Sequence, residues 1–175
     1  MTTTASGIST TTVTTDQQAP LGFQLFIPTA SAGSTRDNEG PQTWTYVHND
    51  AAAATPWAIG HVVIRDPSAT TNDWYGLELA PATTHTPSVM VAGVVQHVIA
   101  SGSYGFVLSK GVGLVLSGSA GVAVDSPFTT GGSAAGTVLV MADDTALANV
   151  SVIGHTATLI GAGVTGTVYL NCLGA

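Results

Sequence analysis

The chain has almost no positive charge. Its 175 residues include three cations, Arg36, Arg65 and Lys110, and charged residues of both signs make up 7%. An average soluble domain carries about 25%. Proteins that hold a phosphate backbone use Lys and Arg to displace its counterions. Three scattered cations and a net charge of -7 set nucleic acid aside. An anionic membrane surface is disfavoured on the same ground. Cysteine is also scarce. With Cys172 alone, no internal disulfide can form and no cysteine cluster can hold a metal. Long apolar runs are missing. The longest, Val89–Val95, stops at Gln96 and His97, well short of the roughly 20 residues a membrane helix needs. The opening stretch MTTTASGISTTTVTT lacks the basic start and apolar segment of a signal peptide.

Glycine (21 residues), Thr, Ser, Ala and 45% apolar residues fill the rest. Such a composition suits short strands, tight turns and broad protein contact. Residues 1–20 are Thr-rich, nearly uncharged and aperiodic. Thr favours extended backbone, so this stretch reads either as a tail or as an extended arm that orders on a neighbouring subunit. The arm reading makes Thr2, Thr3, Thr4, Ile8, Thr11 and Val13 its candidate contact residues.

From Leu21 onward strand signals recur at short spacing. Phe23–Ile27 stops at Pro28, and Thr43–His48 alternates with period two, as a half-buried strand does. Ile59–Arg65 and Trp74–Leu79 follow, then a Pro- and Thr-rich connection. Val89–Ile99, Tyr104–Leu108, Val112–Leu116, Gly121–Val124, Thr137–Met141, Val150–Ile160 and Thr167–Asn171 complete the set. Ser109-Lys110-Gly111 reads as a turn between two of them. Asp50–Ala54 and Asp143–Ala148 read as short helical turns. Strands at this spacing predict an all-β fold, an antiparallel sandwich or barrel with an extended N-terminal arm. The expected division is an arm at 1–20 and a β-rich domain at 21–175, with a candidate subdivision near 81–88. Val89–Val95 and Val112–Leu116 are apolar at every position or nearly so, which predicts cover on both faces.

Motifs of chemistry are weak. Gly161-Ala162-Gly163-Val164-Thr165-Gly166 matches the dinucleotide fingerprint. That fingerprint needs a following helix and an acidic residue about 20 positions on, and nine residues without an acid remain. It reads as a turn. His48, His61, His85, His97 and His155 show no metal-ligand spacing. No G-x-S-x-G nucleophile elbow occurs. Asp37 with Glu39 and Asp143 with Asp144 are small acidic groups without a partner motif. Alternation with Val168 and Leu170 places Cys172 on an apolar face as a small core residue. No catalytic residue, cofactor or metal is therefore expected. A hydrolase would need a Ser or Asp within reach of a histidine inside a pocket. A carbohydrate- or receptor-binding β-module would need Trp44, Trp57, Trp74, Tyr46 and Tyr75 exposed on one face.

The runs Val91-Ala92-Gly93-Val94-Val95-Gln96, Gly102–Leu108, Gly111–Leu116 and the closing Gly166–Cys172 resemble the small capsid decoration, or cement, proteins of tailed bacteriophages. The resemblance spans roughly residues 89–173. It implies a β-rich structural protein, a homotrimer on the outer capsid surface, that bridges neighbouring major capsid proteins. It implies no catalytic residues.

Overall fold

In β2, Gln42–Asn49, Trp44 and Tyr46 point to one side and Thr45 and Val47 to the other, and all four are buried. A strand covered on both faces needs layers on both sides, and the rest of the fold supplies them. The computed structural model describes residues 9–28, 40–50, 55–65, 76–80, 86, 88–131, 134–141 and 152–172. The strands are β1 (Gln24–Ile27), β2, β3 (Val62–Arg65), β4 (Gly76–Leu79), β5 (Val91–Val95), β6 (Tyr104–Leu116), β7 (Pro127–Thr130), β8 (Val138–Val140), β9 (Gly154–Thr156) and β10 (Thr165–Asn171). The described residues contain no α-helix, only a 3₁₀ turn at Ser88–Met90. The all-β expectation holds.

The strands form one sheet in the order β1-β2-β4-β3-β5-β6-β10-β9-β7-β8, and β2 also pairs with β6. That extra pairing folds the sheet back on itself. β2, β4, β3, β5 and β6 close into a ring, while the sheet stays open at β1 and β8. Within the ring every pairing is antiparallel except His48–Asn49 of β2 against Gly76–Leu77 of β4. The exception is forced. Five strands cannot alternate direction all the way round, so one junction of the ring must be parallel.

Alternation sorts the side chains into two cores. Val47, Val63, Ala92, Val95 and Val107, with Trp57 and Ile99, form the cluster inside the ring. The opposite faces of the same strands carry Trp44, Tyr46, Val62, Ile64, Val94, Phe106 and Leu108. These continue into Val115, Phe128, Ile153, Val168, Leu170 and Cys172 beneath the second half of the sheet. Each large apolar side chain buried in this way contributes about 1.5–3 kcal/mol.

Three sequence readings change. Ser109-Lys110-Gly111 is not a turn, because β6 runs unbroken from Tyr104 to Leu116. Leu108 and Lys110 pair with the adjacent residues Trp44 and Thr43, so Ser109 is the extra residue of a β-bulge. Its hydroxyl donates to the Thr43 carbonyl at 2.9 Å. Gly111 then takes φ +116°, and a Cβ there would lie 2.7 Å from the Pro41 oxygen. Gly121–Val124 contributes only a bridge, Val122 to Ile160, while Pro127 opens β7 rather than ending a strand. Val89–Ile99 holds a strand of five residues, preceded by the 3₁₀ turn and followed by a bend. The helical turns expected within 50–54 and 143–148 fall on 51–54 and 142–151, outside the described residues.

Residues 9–20 lie against the chain's own ring. Thr14 and Tyr104 exchange backbone hydrogen bonds of 3.0 and 2.8 Å, and the Gln18 N–H donates to Tyr46 Oη at 2.9 Å. Val13 is half-buried against the inner cluster, and Ala19 packs on the outer one. Within 9–20 the chain is therefore tied to its own body rather than extended away from it.

Candidate interaction surface

The second half of β6 pairs with β10, register Leu116 to Thr165, Leu114 to Thr167 and Val112 to Tyr169. On β10, Val168 and Leu170 are buried while Thr165, Thr167 and Tyr169 are exposed. The neighbouring residues on the same face of β6, Val112, Leu114 and Leu116, are only half-buried. His155 of β9 extends the face beside Tyr169. The result is a row of aliphatic side chains flanked by a Thr/Tyr row, with no described layer over it.

At the Leu116 end this face runs into a tip made of two turns. Val122 and Ile160 exchange backbone hydrogen bonds of 2.9 Å, Gly163 N–H donates to the Gly118 carbonyl at 3.0 Å, and Ser117 N–H donates to the Val164 carbonyl at 3.1 Å. The Ser117 hydroxyl donates to the Gly161 carbonyl. Gly166 allows Ile160 to close the base of the turn, since a Cβ there would come within 2.5 Å of the Ile160 side chain. Fastened this way, the tip presents Leu159 at 74% exposure and Val164 at 50%.

The face is free of charge. Residues 111–124 contain no Asp, Glu, Lys or Arg, and none occurs after Asp144. Lys110 bounds it at one end, opposite Asn171, and Asp125 follows Val124 at the other. A recess of about 240 Å³ opens beside Val112 and Leu114, lined also by Gln42, Trp44, Gln96, Leu108 and Thr167. Its two amides are engaged with backbone. Gln96 Nε2 donates to the Leu114 carbonyl at 3.0 Å while its Oε1 accepts the Leu114 N–H at 2.8 Å. Gln42 Nε2 donates to the Val112 carbonyl at 3.0 Å, and the Trp44 indole N–H donates to Gln42 Oε1 at 3.2 Å. With both amides engaged, the recess offers polar and apolar lining in similar measure.

Of the arm residues, Thr2, Thr3, Thr4 and Ile8 lie outside the described residues, Thr11 is exposed, and Val13 is taken up by the ring. Trp44, Trp57 and Tyr46 are buried and offer no ring face to a sugar, while Trp74 and Tyr75 lie outside the described residues. His61 accepts from the Ala58 N–H at 3.2 Å. No three His, Cys, Asp or Glu residues gather as a metal group among the described residues. Cys172 sits in the core as its alternation implies, and burial pushes its thiol up to about 12. Gly161–Val164 form a turn, as read, with Thr165 and Gly166 already in β10, but the part of this turn in an exposed apolar tip was missed. The legible signal was apolar residues inside a charge-free turn.

This architecture defines an all-β protein with a sheet that is closed at one end and open-faced at the other. No family model matches the chain, and no curated protein matches it. Among solved structures it is similar to the base of the head fiber protein gp8.5 of bacteriophage phi29, at TM-score 0.47 and 14% identity. The match covers 74% of this chain and 93% of that one. Likeness at that level leaves function to be argued from this chain's own surface.

Proposed function

We propose that the chain is a structural protein of a bacteriophage virion, seated on the outer capsid surface and bridging neighbouring shell subunits. The observation that carries the reading is the open, charge-free face of β6 and β10 with its fastened apolar tip. Contiguous exposed apolar surface on a folded domain marks a protein contact site. A tip already held by backbone hydrogen bonds loses little freedom on docking. The segments that form this face, Gly111–Leu116 and Gly166–Cys172, are those whose sequence resembles capsid decoration proteins. The N-terminal residues 2–8 serve as the second contact. Two separate contacts let one molecule touch two neighbours.

Quantitative mass spectrometry of purified virus particles from the source tests the reading. A copy number of the order of the major shell protein is the expected result. Absence of the chain from particles overturns it.

A further inference from the structure

We propose that the outer edge of β1 is a docking site for an extended, neutral or basic segment of another protein, which adds to the sheet as a further strand. This goes beyond the shell contact of the β6–β10 face and uses a different part of the sheet. β1 is the last strand on its side and pairs with β2 alone. Hydrogen bonds of β2 fix its phase. Tyr46 N–H donates to the Phe23 carbonyl at 2.8 Å, and Asn49 N–H donates to the Ser103 carbonyl at 2.9 Å. An antiparallel ladder alternates, so the even-numbered residues of β2 turn to β1 and the odd-numbered ones to β6. On β1, Leu25 and Ile27 therefore bond to Trp44 and Gln42, their partners in register. The N–H and C=O groups of Gln24 and Phe26 point outward, and no hydrogen bond reaches them among the described residues. The far edge differs. There β8 is met by Ser117, and Gly118 N–H donates to the Val138 carbonyl at 2.8 Å. Free edges are ordinarily blunted by charge or proline, but residues 17–35 hold no charge and β1 itself no proline. Outward backbone groups two residues apart select an extended chain. The side chains beside them favour apolar or Thr neighbours: Leu25 and Ile27 are half-buried on one face and Phe26 is 63% exposed on the other. Charge selects the source. Each copy of this chain carries -7, so pairing β1 with a second copy sets like-charged bodies together, while a neutral or basic segment meets no such opposition.

Amide hydrogen exchange of the full chain, read by NMR across β1, tests this with a blocked Lys-Thr-Val-Thr-Val-Thr-Lys peptide as the probe. Without peptide, the Gln24 and Phe26 amides are expected to exchange roughly tenfold or more faster than those of Leu25 and Ile27. Millimolar peptide is expected to slow Gln24 and Phe26 by roughly tenfold. Its N-methylated form, which has no amide N–H to donate, is expected to leave them unchanged. Gln24→Pro removes only an outward N–H, at a position where edge strands accept proline. It is expected to keep the wild-type circular dichroism spectrum and to lose the response at Phe26. Gln24 and Phe26 amides that are slow without peptide at every protein concentration overturn the proposal, since a segment of the chain itself then covers the edge. Slowing that grows with protein concentration overturns it in favour of a second copy. No slowing at millimolar peptide, or equal slowing by the N-methylated form, overturns it as well. The particle copy number is measured separately, so the structural role and the β1 edge can fail independently.

Discussion

The two halves of β6 are made of the same material and meet different fates. Phe106-Val107-Leu108 is fully buried, on both faces of the strand. Leu114-Val115-Leu116 buries Val115 completely and its two leucines only in part. Neither hydrophobicity nor strand propensity separates them. Closure does. The first half is flanked by β2 and β5 inside a ring, so one face looks inward and the other lies under a second core. The second half is flanked by β10 in a sheet that never closes, and one face stays uncovered. Apolar residues that folding leaves uncovered are available for association.

That contrast can be broken most sharply at Phe106. Phe106→Ala removes a ring packed at 5.0 Å from Tyr46 and is expected to cost about 3–5 kcal/mol, measured by denaturant unfolding. A loss below 1 kcal/mol would show that the ring is not the stable half. Gly111 joins the halves. Gly111→Ala drives a Cβ toward the Pro41 oxygen and is expected to cost about 1–3 kcal/mol, with the bulge at Ser109 relaxing in amide hydrogen exchange.

Acid should strike the ring first. His61 leads into β3, His97 follows β5, and burial holds both imidazoles below their ordinary value near 6.5. Both ring nitrogens of His97 are buried without a hydrogen-bond partner, so the imidazolium has nothing to accept its protons. The unfolded chain binds protons at these sites more readily than the folded one, so stability rises with pH across that window. It is therefore expected to fall as pH drops below 6.5 and to level off below the depressed folded values. Denaturant midpoints from neutral pH downward read this out, and His97→Gln should flatten the curve. An unchanged slope in that variant would remove His97 from the account. The smallest effect belongs to the open face. Leu116→Thr is expected to cost less than about 1 kcal/mol in denaturant unfolding. A larger loss of stability would mean that the face is covered within the monomer.

Much of this fold was legible in local pattern. The Thr43–His48 alternation, the Gly161–Val164 turn and the core position of Cys172 all follow from period two and from glycine where backbone turns. The expectation of cover on both faces holds for Val91–Val95 but not for Val89, which is 58% exposed, and it fails for Val112–Leu116. Both runs are apolar, and only long-range pairing decides which one lies in a ring. The bulge was misread because Ser109-Lys110-Gly111 has turn composition, and its partner Thr43 lies far away in sequence. The N-terminal segment has no periodicity, so nothing local signalled that Thr14 and Gln18 bond to Tyr104 and Tyr46. The open face emerged only once β6 and β10 were set in register.

The odd number of strands in the ring has one more outcome. Its parallel junction, β2 against β4, spans two registered pairs, as few as β5 against β6 and fewer than the six of β2 against β6. Parallel pairing is also the less stable kind per residue. The ring has a seam, and thermal opening is expected to start there rather than to spread evenly around the circumference. The half of the protein that holds its core most tightly is thus built like a clasp, with β6 as its spine and His48–Asn49 as its catch.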